Sequence, residues 1–238
     1  MTTKMRLDRV LAQRGVGSRS IARKLVKQGR VIVDDVVAKR AEQSIETSAV
    51  IKVDDELLEP LPLIIVWHKP FGVVSTMRDP LGRHDLSDVL PAEFREKLHP
   101  VGRLDAETTG LLLFSLSGAL TQWLLHPKRA IKRRYEAEVE TDLSPDITET
   151  LAAGVATSLG TFTAEVEHAE GRSIRLGVVE GKHRMVRRLL ANSGHPVAGL
   201  HRISYGPFEL GDLDAYEYRP ATQEELEWLE ARKAPTNH

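Results

Sequence analysis

The chain has 238 residues, a net charge of −1 at pH 7 and 41% hydrophobic residues, which is enough for one large domain or for a small domain followed by a medium one. Because cysteine is absent and the nine histidines lack metal-ligand spacing, we exclude disulfides and thiolate nucleophiles and expect no metal. No apolar run approaches the roughly 20 residues of a membrane span, and no signal-peptide pattern opens the chain, so we expect a cytoplasmic protein and, without an obvious apolar seam, a monomer.

The beginning of the chain carries a strong local positive charge. Residues 1–40 contain eleven Lys and Arg residues against three acidic ones, a net charge of +8 that leaves −9 for the remainder. A basic end on an acidic remainder indicates a localised contact with a polyanion.

Two short helices and several strands are predicted in this basic segment. The first helix has apolar residues at helical spacing, Leu7, Val10 and Leu11. After a break at Gly15 and Gly17, a second helix begins at the N-cap Ser18, ends at Gly29 and buries Ile21, Ala22, Leu25 and Val26. Its basic residues Arg19, Arg23 and Lys27 share another face and repel one another unless phosphates lie opposite. Strands at 31–37 and 50–53 follow, with pairs of Asp at the turns.

The pattern alone allows this segment to be either an RNA-binding face or an ordinary solvated basic face. The sequence MRLDRVLAQRGVGSRSIARKLVKQGRVIVDD, however, resembles the small RNA-binding module named after a small-subunit ribosomal protein, over about residues 5–58. The resemblance implies that its helices and the following loop present basic side chains to structured RNA. These would be Arg6, Arg9, Arg19, Arg23, Lys24, Lys27 and Arg30.

A proline-rich linker and a second domain follow this module. The stretch LEPLPLI cannot continue a helix, so we predict domains at 1–58 and 64–238, joined by residues 59–63. The second domain alternates strand-like runs (64–68, 111–115, 135–140, 173–179) with helical ones (117–125, 145–153, 184–193, 223–232). We therefore predict an α+β fold, in which a small α/β module precedes a mixed, mainly antiparallel sheet with flanking helices. Ser144-Pro145 and Gly154 should bound one helix, and Thr222 with Glu225 should form a capping box for the last.

The stretch HPVGRLDAETTGLLLFS at 99–115 is the candidate for chemistry. Gly102 and Gly110 bracket a polar loop before a buried strand, a setting that can hold an acid in fixed geometry. The residues alone favour a turn or capping role for Asp105 over a catalytic one. Asp105 and Glu107 together would suit glycosidic chemistry, but their spacing in a loop says little about the distance between them.

The same stretch carries a second resemblance. GRLDAETTGLLLF resembles the signature G-R-L-D-x-x-T-x-G-L-x-L of the RsuA/RluB-type ribosomal RNA pseudouridine synthases. HKPFGVVSTMRDPLGR at 68–83 is similar to their N-K-P-x-G segment, with His68 in place of Asn. KRRYEAEVE at 132–140 and the segment at 180–206 also match, so the resemblance spans nearly the whole chain. Met185, Leu189 and the stretch Ser115–Gly118 depart from the family pattern, which leaves the subgroup and the target uridine open.

The resemblance implies specific roles for residues of the second domain. Asp105 would be the essential carboxylate, Tyr135 the aromatic residue packed on the target base and Arg187 the basic partner of Asp105. Without the family, Tyr135 would read as a core residue of a strand. The basic residues expected to guide RNA are Arg103, Lys132, Arg133, Arg134, Lys182, Arg184 and Arg188. Isomerisation of uridine needs no cofactor, and the implied partner is ribosomal RNA or an assembling ribosomal subunit.

Two rival functions are also compatible with an RNA-binding module at the start of the chain. A non-enzymatic RNA-binding or ribosome-assembly protein would use the same module with an inactive catalytic fold, although the presence of Asp105 argues against it. An RNA methyltransferase would need a Gly-rich loop after a strand, which the sequence lacks.

Overall fold

The computed structural model of the chain describes residues 4–14, 16, 18–58, 63–95 and 98–233. It divides into two compact units, residues 1–62 and 63–238. The predicted glycine break at Gly15 and Gly17 and residues 59–62 of the predicted linker lie outside the described residues. None of the described helices combines the length and the apolar character needed to cross a membrane.

The first unit combines two helices with short strands. Its elements are β1 (Lys4–Arg6), α1 (Leu7–Gln13), α2 (Arg19–Lys27), β2 (Val31–Val33), β3 (Val36–Val37), β4 (Ser44–Glu46), β5 (Ile51–Val53) and β6 (Glu56–Leu57). The strands form a sheet in the order β3-β2-β5-β6 and a separate β1-β4 pair. The predicted turns at the Asp pairs are confirmed, since Asp34, Asp35, Asp54 and Asp55 all have positive φ, as tight hairpin turns require.

The helices of this unit pack through narrow apolar stripes. Leu7 and Leu11 of α1 and Ala22 and Val26 of α2 are buried in one core. Ser18 caps α2 as predicted, because its side chain accepts a hydrogen bond from the Ile21 amide. The predicted burial of Ile21 is wrong: its side chain is 50% exposed, because the buried stripe of α2 runs through the neighbouring position.

The second unit contains six helices and eleven strands among its described residues. The helices are α3 (Leu86–Val89), α4 (Ala92–Arg95), α5 (Gly118–Leu125), α6 (Ile147–Ala153), α7 (Met185–Asn192) and α8 (Gln223–Lys233). The strands are β7 (Ile64–Lys69), β8 (His99–Pro100), β9 (Thr108–Ser115), β10 (Arg133–Val139), β11 (Val155–Thr157), β12 (Gly160–Phe162), β13 (Glu165–Glu170), β14 (Ser173–Val178), β15 (Val197–Tyr205), β16 (Phe208–Glu209) and β17 (Tyr218–Pro220).

A nine-stranded mixed sheet forms the centre of this unit. Its main order is β13-β14-β10-β15-β9-β7-β17, with β16 beside β15 and β8 beside β9. All neighbours are antiparallel except β15 and β9, so the predicted mixed, mainly antiparallel sheet with flanking helices is confirmed. Apolar residues of β7 and β9 pack with α5 and α8 in one core, which makes the start of β9 a rigid support for the loop before it.

Helix ends follow the predicted signals with one shift. Thr222 and Glu225 form the predicted capping box, with each side chain accepting a hydrogen bond from the other residue's amide. Gly154 ends α6 as predicted, with φ of 103°. The helix begins at Ile147 and not at Pro145, because residues 145 and 146 form a turn ahead of it.

Candidate active site

The loop that carries Asp105 lies between β8 and β9 and is held by hydrogen bonds from the neighbouring segment. The Ser75 hydroxyl donates to the Leu104 carbonyl at 2.7 Å and accepts from the Leu104 amide at 3.1 Å. The Gly72 amide donates to the Ala106 carbonyl at 2.8 Å. The backbone on both sides of Asp105 is therefore fixed, as a precisely placed carboxylate requires.

A buried lysine supports the same loop from behind. Lys69 ends β7, is fully buried, and its Nζ donates to the carbonyls of Pro70 and Thr108, each at 2.9 Å. Burial lowers the pKa of Lys69 to about 8, while the charge of Asp105 acts to raise it. Lys69 was not among the predicted site residues, although it lies within the 68–83 segment that resembles the family.

Asp105 has a different arginine partner from the one predicted. Arg184 Nη1 lies 3.8 Å from the Asp105 carboxylate, and Arg184 Nη2 donates to the Glu107 carboxylate at 3.1 Å. Arg187 instead donates to the carbonyls of Val197 and Glu107, at 3.1 and 3.0 Å. Arg187, the predicted basic partner, thus forms no ion pair with Asp105 among the described residues, because its Nη1 and Nη2 donate to backbone carbonyls, although the charge of Asp105 still acts on it.

The two arginines also differ in another respect: the pKa of Arg187 is shifted, whereas the backbone of Arg184 is strained. Burial lowers the pKa of Arg187, the charge of Arg184 lowers it further, and Glu107 and Asp105 oppose the shift. Arg184 has φ of 52°, which is uncommon for a residue other than glycine and costs conformational free energy. The loop ahead of α7 is thus strained at the residue that contacts Asp105.

Asp105 and Tyr135 line one cavity in the second unit. Tyr135 lies on β10, is 9% exposed, and pairs with Leu176 of β14 and Arg202 of β15. Its phenol ring therefore belongs to the sheet surface that forms the cavity wall. The basic residues that line the same cavity are Arg103, Arg133, Lys182, Arg184 and Arg202.

The arrangement of loop, sheet and cavity agrees with a known enzyme family. A family model described as RNA pseudouridylate synthase matches residues 63–192, more than half of the chain. The chain belongs to this family. A second model, the S4 domain, matches residues 5–51. This pseudouridine synthase therefore joins an S4 domain to a catalytic domain that isomerises uridine in RNA.

Individual relatives cover most of the chain. An RNA pseudouridine synthase of Mycobacterium tuberculosis is 36% identical over 87% of this chain and 85% of its own length. The ribosomal large subunit pseudouridine synthase B of Vibrio cholerae is 35% identical over 84% of this chain and 66% of its own length. The crystal structure of a pseudouridylate synthase, 29% identical, superimposes with a TM-score of 0.64 over 94% of this chain and 98% of that one.

The basic residues predicted to guide RNA fall into two groups in the synthase. Arg103 and Lys182 are exposed and line the cavity. Arg133 lines it too but is buried, and donates to the Val179 carbonyl at 2.6 Å and to the Tyr205 hydroxyl at 2.9 Å. The predicted role of Arg133 as a surface RNA contact conflicts with this burial, since both interactions cross-link the domain interior.

The other predicted RNA contacts of the catalytic domain have protein partners. Lys132 forms ion pairs with Glu165 and Glu167. Arg134 forms ion pairs with Glu167 and Glu209, and Arg188 donates to the Ser158 hydroxyl. None of these three lines the cavity, so any contact with RNA would occur outside it.

The S4 domain gathers three of its arginines around one buried acid. Asp8 is fully buried and accepts hydrogen bonds from Arg6, Arg19 and Arg23 at 2.8 to 3.2 Å. Burial acts to raise the pKa of Asp8, but the three arginines outweigh it and hold that pKa well below its usual range. The repulsion predicted along α2 is thus offset within the protein.

The remaining predicted contacts of the S4 domain differ in their partners. Arg30 forms an ion pair with Asp54. Arg9, Lys24 and Lys27 are exposed, and among the described residues they have no acidic partner within ion-pair distance.

Proposed function

We propose that this synthase converts a uridine of ribosomal RNA to pseudouridine and that Asp105 is the essential carboxylate. The proposal assigns RNA binding to residues 1–58 and catalysis to residues 64–238, in a monomer that acts on cytoplasmic ribosomal RNA or on an assembling subunit. The observation that carries it is the position of Asp105, on a clamped loop at the rim of a cavity whose wall contains Tyr135.

The chemistry requires a fixed acid and an extruded base. Conversion breaks the bond between uracil N1 and ribose C1′ and forms a bond from C5 to C1′, so no group is gained or lost. Asp105 would act covalently on ribose or base, or would remove a ribose proton, and each route uses an ionised carboxylate. Because these atoms are inaccessible in stacked RNA, the uridine flips out, and Tyr135 packs on its base.

The charges around Asp105 suit that role. Lys69 lies buried behind the loop, and Arg184 lies within ion-pair distance in front of it. Arg184 would hold the carboxylate in place, and Lys69 would hold the loop backbone that carries it. Arg187 would contribute at longer range and by holding the Glu107 backbone.

RNA outside the cavity would contact exposed cations. Arg103 and Lys182 stand at the cavity, and Arg9, Lys24 and Lys27 are exposed on the S4 domain. Exposed guanidinium and ammonium groups neutralise phosphates and release counterions, which supplies affinity that depends on salt. The names of the large-subunit relatives favour ribosomal RNA as the substrate.

The test compares wild type with Asp105→Asn on ribosomal RNA taken from cells that lack the protein. Pseudouridine is mapped by chemical labelling and primer extension, on free RNA and on ribosomal subunits. We expect wild type to restore one site and Asp105→Asn to restore none. Glu107→Gln is the matched control, since this acid shares the loop and the same Arg184 contact and should retain activity. Modification by Asp105→Asn would refute the assignment, and no modification by wild type would favour an RNA-binding role alone.

A further inference from the structure

Arg202 of β15 carries an unused hydrogen-bond donor beside the cavity. The residue is 3% exposed and lines the cavity, and its Nε donates to the Leu111 carbonyl at 2.7 Å. Its Nη2 is buried and has no acceptor among the described residues. A buried charged donor without an acceptor carries a large desolvation cost, so such a group calls for a functional reason.

The neighbouring strands fix the backbone of Arg202 in place. Arg202 pairs with Tyr135 on one side and with Gly110 of β9 on the other. The approach to β9 is close: a Cβ atom added to Gly110 would lie 2.3 Å from the Arg202 carbonyl oxygen. Arg202 is therefore held between the strand of the stacking tyrosine and the strand that follows the Asp105 loop.

The burial of Arg202 favours a base over a phosphate as its ligand. The cations suited to the RNA backbone are exposed, as Arg103 and Lys182 are. A base that stacks on Tyr135 would bring its edge toward the residue paired with Tyr135 in the sheet, and that residue is Arg202. The edge of a flipped base is usually read by hydrogen bonds of this kind.

We propose that Arg202 Nη2 donates a hydrogen bond to the O4 carbonyl oxygen of the flipped uracil and so selects uracil over cytosine. This inference rests on the proposed function. Uracil presents an acceptor at position 4, whereas cytosine presents an amino donor there, which would oppose the Arg202 donor. O2 is common to both bases, so of the two carbonyl oxygens of uracil only O4 discriminates between them.

The same contact assists the reaction. When the N1–C1′ bond breaks, its electron pair stays on uracil and the negative charge spreads onto the carbonyl oxygens. Arg202 would stabilise that charge until C5 bonds to C1′, after which C5 loses its proton and N1 gains one. Loss of one preorganised donor to a developing anion lowers kcat by roughly 100- to 1000-fold in other enzymes.

The first experiment measures base selectivity in the binding step. RNA fragments with uridine or cytidine at the mapped target position are bound to Asp105→Asn protein, with and without Arg202→Met, so that turnover does not interfere. We expect the uridine preference to fall by roughly 10- to 100-fold when Arg202 is removed. An equal loss of affinity for both RNAs would show a merely structural role and would overturn the proposal.

Arg133→Met provides the matched control in the same Asp105→Asn background. Arg133 is also buried at the cavity, but its donors already have protein acceptors, so its removal should lower stability and leave the uridine preference unchanged. A loss of the preference with Arg133→Met as large as that with Arg202→Met would overturn the assignment to Arg202.

A second experiment uses only the wild-type protein, so its result does not depend on whether an Arg202 variant folds. The wild-type synthase is assayed on RNA with 4-thiouridine or 2-thiouridine at the target, because sulfur is a weaker acceptor than oxygen. We expect kcat to fall with the 4-thio base and to change little with the 2-thio base, and the opposite pattern would overturn the O4 contact. If the wild type modifies no uridine at all, the proposed function fails, which is distinguishable from active enzyme without Arg202-dependent selectivity.

Discussion

Gly110 should be the residue of the catalytic domain least able to accept a methyl group. It has φ of 98° and lies where β9 pairs with β15. An added Cβ would stand 2.3 Å from the Arg202 carbonyl oxygen and 2.7 Å from the Arg202 amide nitrogen, both backbone atoms. Because neither strand can rotate away within a continuous sheet, Gly110→Ala should force β9 and β15 apart.

The expected loss follows from two separate terms. The left-handed backbone costs a residue with a side chain about 1 to 3 kcal/mol. Overpacking against backbone adds about 1 to 3 kcal/mol more. A combined loss of about 2 to 6 kcal/mol corresponds to a fall in Tm of roughly 4 to 24 °C for a domain of this size.

Thermal unfolding followed by tryptophan fluorescence measures this loss directly. All three tryptophans lie in residues 63–238, so the signal reports the catalytic domain without the S4 domain. The control is Gly171→Ala, because Gly171 also has positive φ but nothing within 4 Å of an added Cβ. It isolates the backbone term, and we expect a clearly smaller fall in Tm. Equal falls for both variants would refute the steric argument.

Two further predictions concern pH. The pKa of Asp8 is lowered on folding, so its stabilisation of the S4 domain is complete above the unfolded pKa of about 3.9 and is lost as pH falls below it. Denaturation of wild type and Asp8→Asn by acid, followed by circular dichroism, should show this loss in wild type only, and parallel acid profiles would contradict it. The pKa of Lys69 is lowered to about 8, so the unfolded chain binds more protons than the folded one between that pH and its ordinary value of about 10.5. The stability of wild type relative to Lys69→Met should therefore rise across this interval in urea unfolding, and a flat difference would show that Lys69 does not titrate in this way.

Local structure was largely predictable from the sequence because its determinants lie close together in the chain. Ser18 precedes its helix directly, Thr222 and Glu225 are three residues apart, and adjacent Asp pairs set the hairpin turns. The caps work through backbone amides three residues away, and the Asp pairs work through their tolerance of the left-handed backbone of a tight turn. The mixed sheet also followed from the alternation of strand-like and helical runs.

The partners within the site were less predictable, because they depend on strand pairing over long distances. The sequence identified Asp105 and Tyr135 through a family resemblance, but it did not place Arg202 beside Tyr135 or Lys69 behind the loop. Those contacts follow from the order of β7, β9, β15 and β10 in the sheet. The choice between Arg184 and Arg187 also depends on side-chain reach, which sequence spacing does not fix.

Burial divides the basic residues of the catalytic domain into functional groups that their sequence context does not distinguish. Arg103 and Lys182 are exposed at the cavity, which suits phosphates in water. Arg133 is buried with acceptors for its donors, which suits a structural cross-link. Arg202 is buried with a donor left over, and this combination suits neither phosphate binding nor structure alone. Our proposal assigns that donor to the uracil edge, because a bound base would supply the acceptor that the free protein lacks.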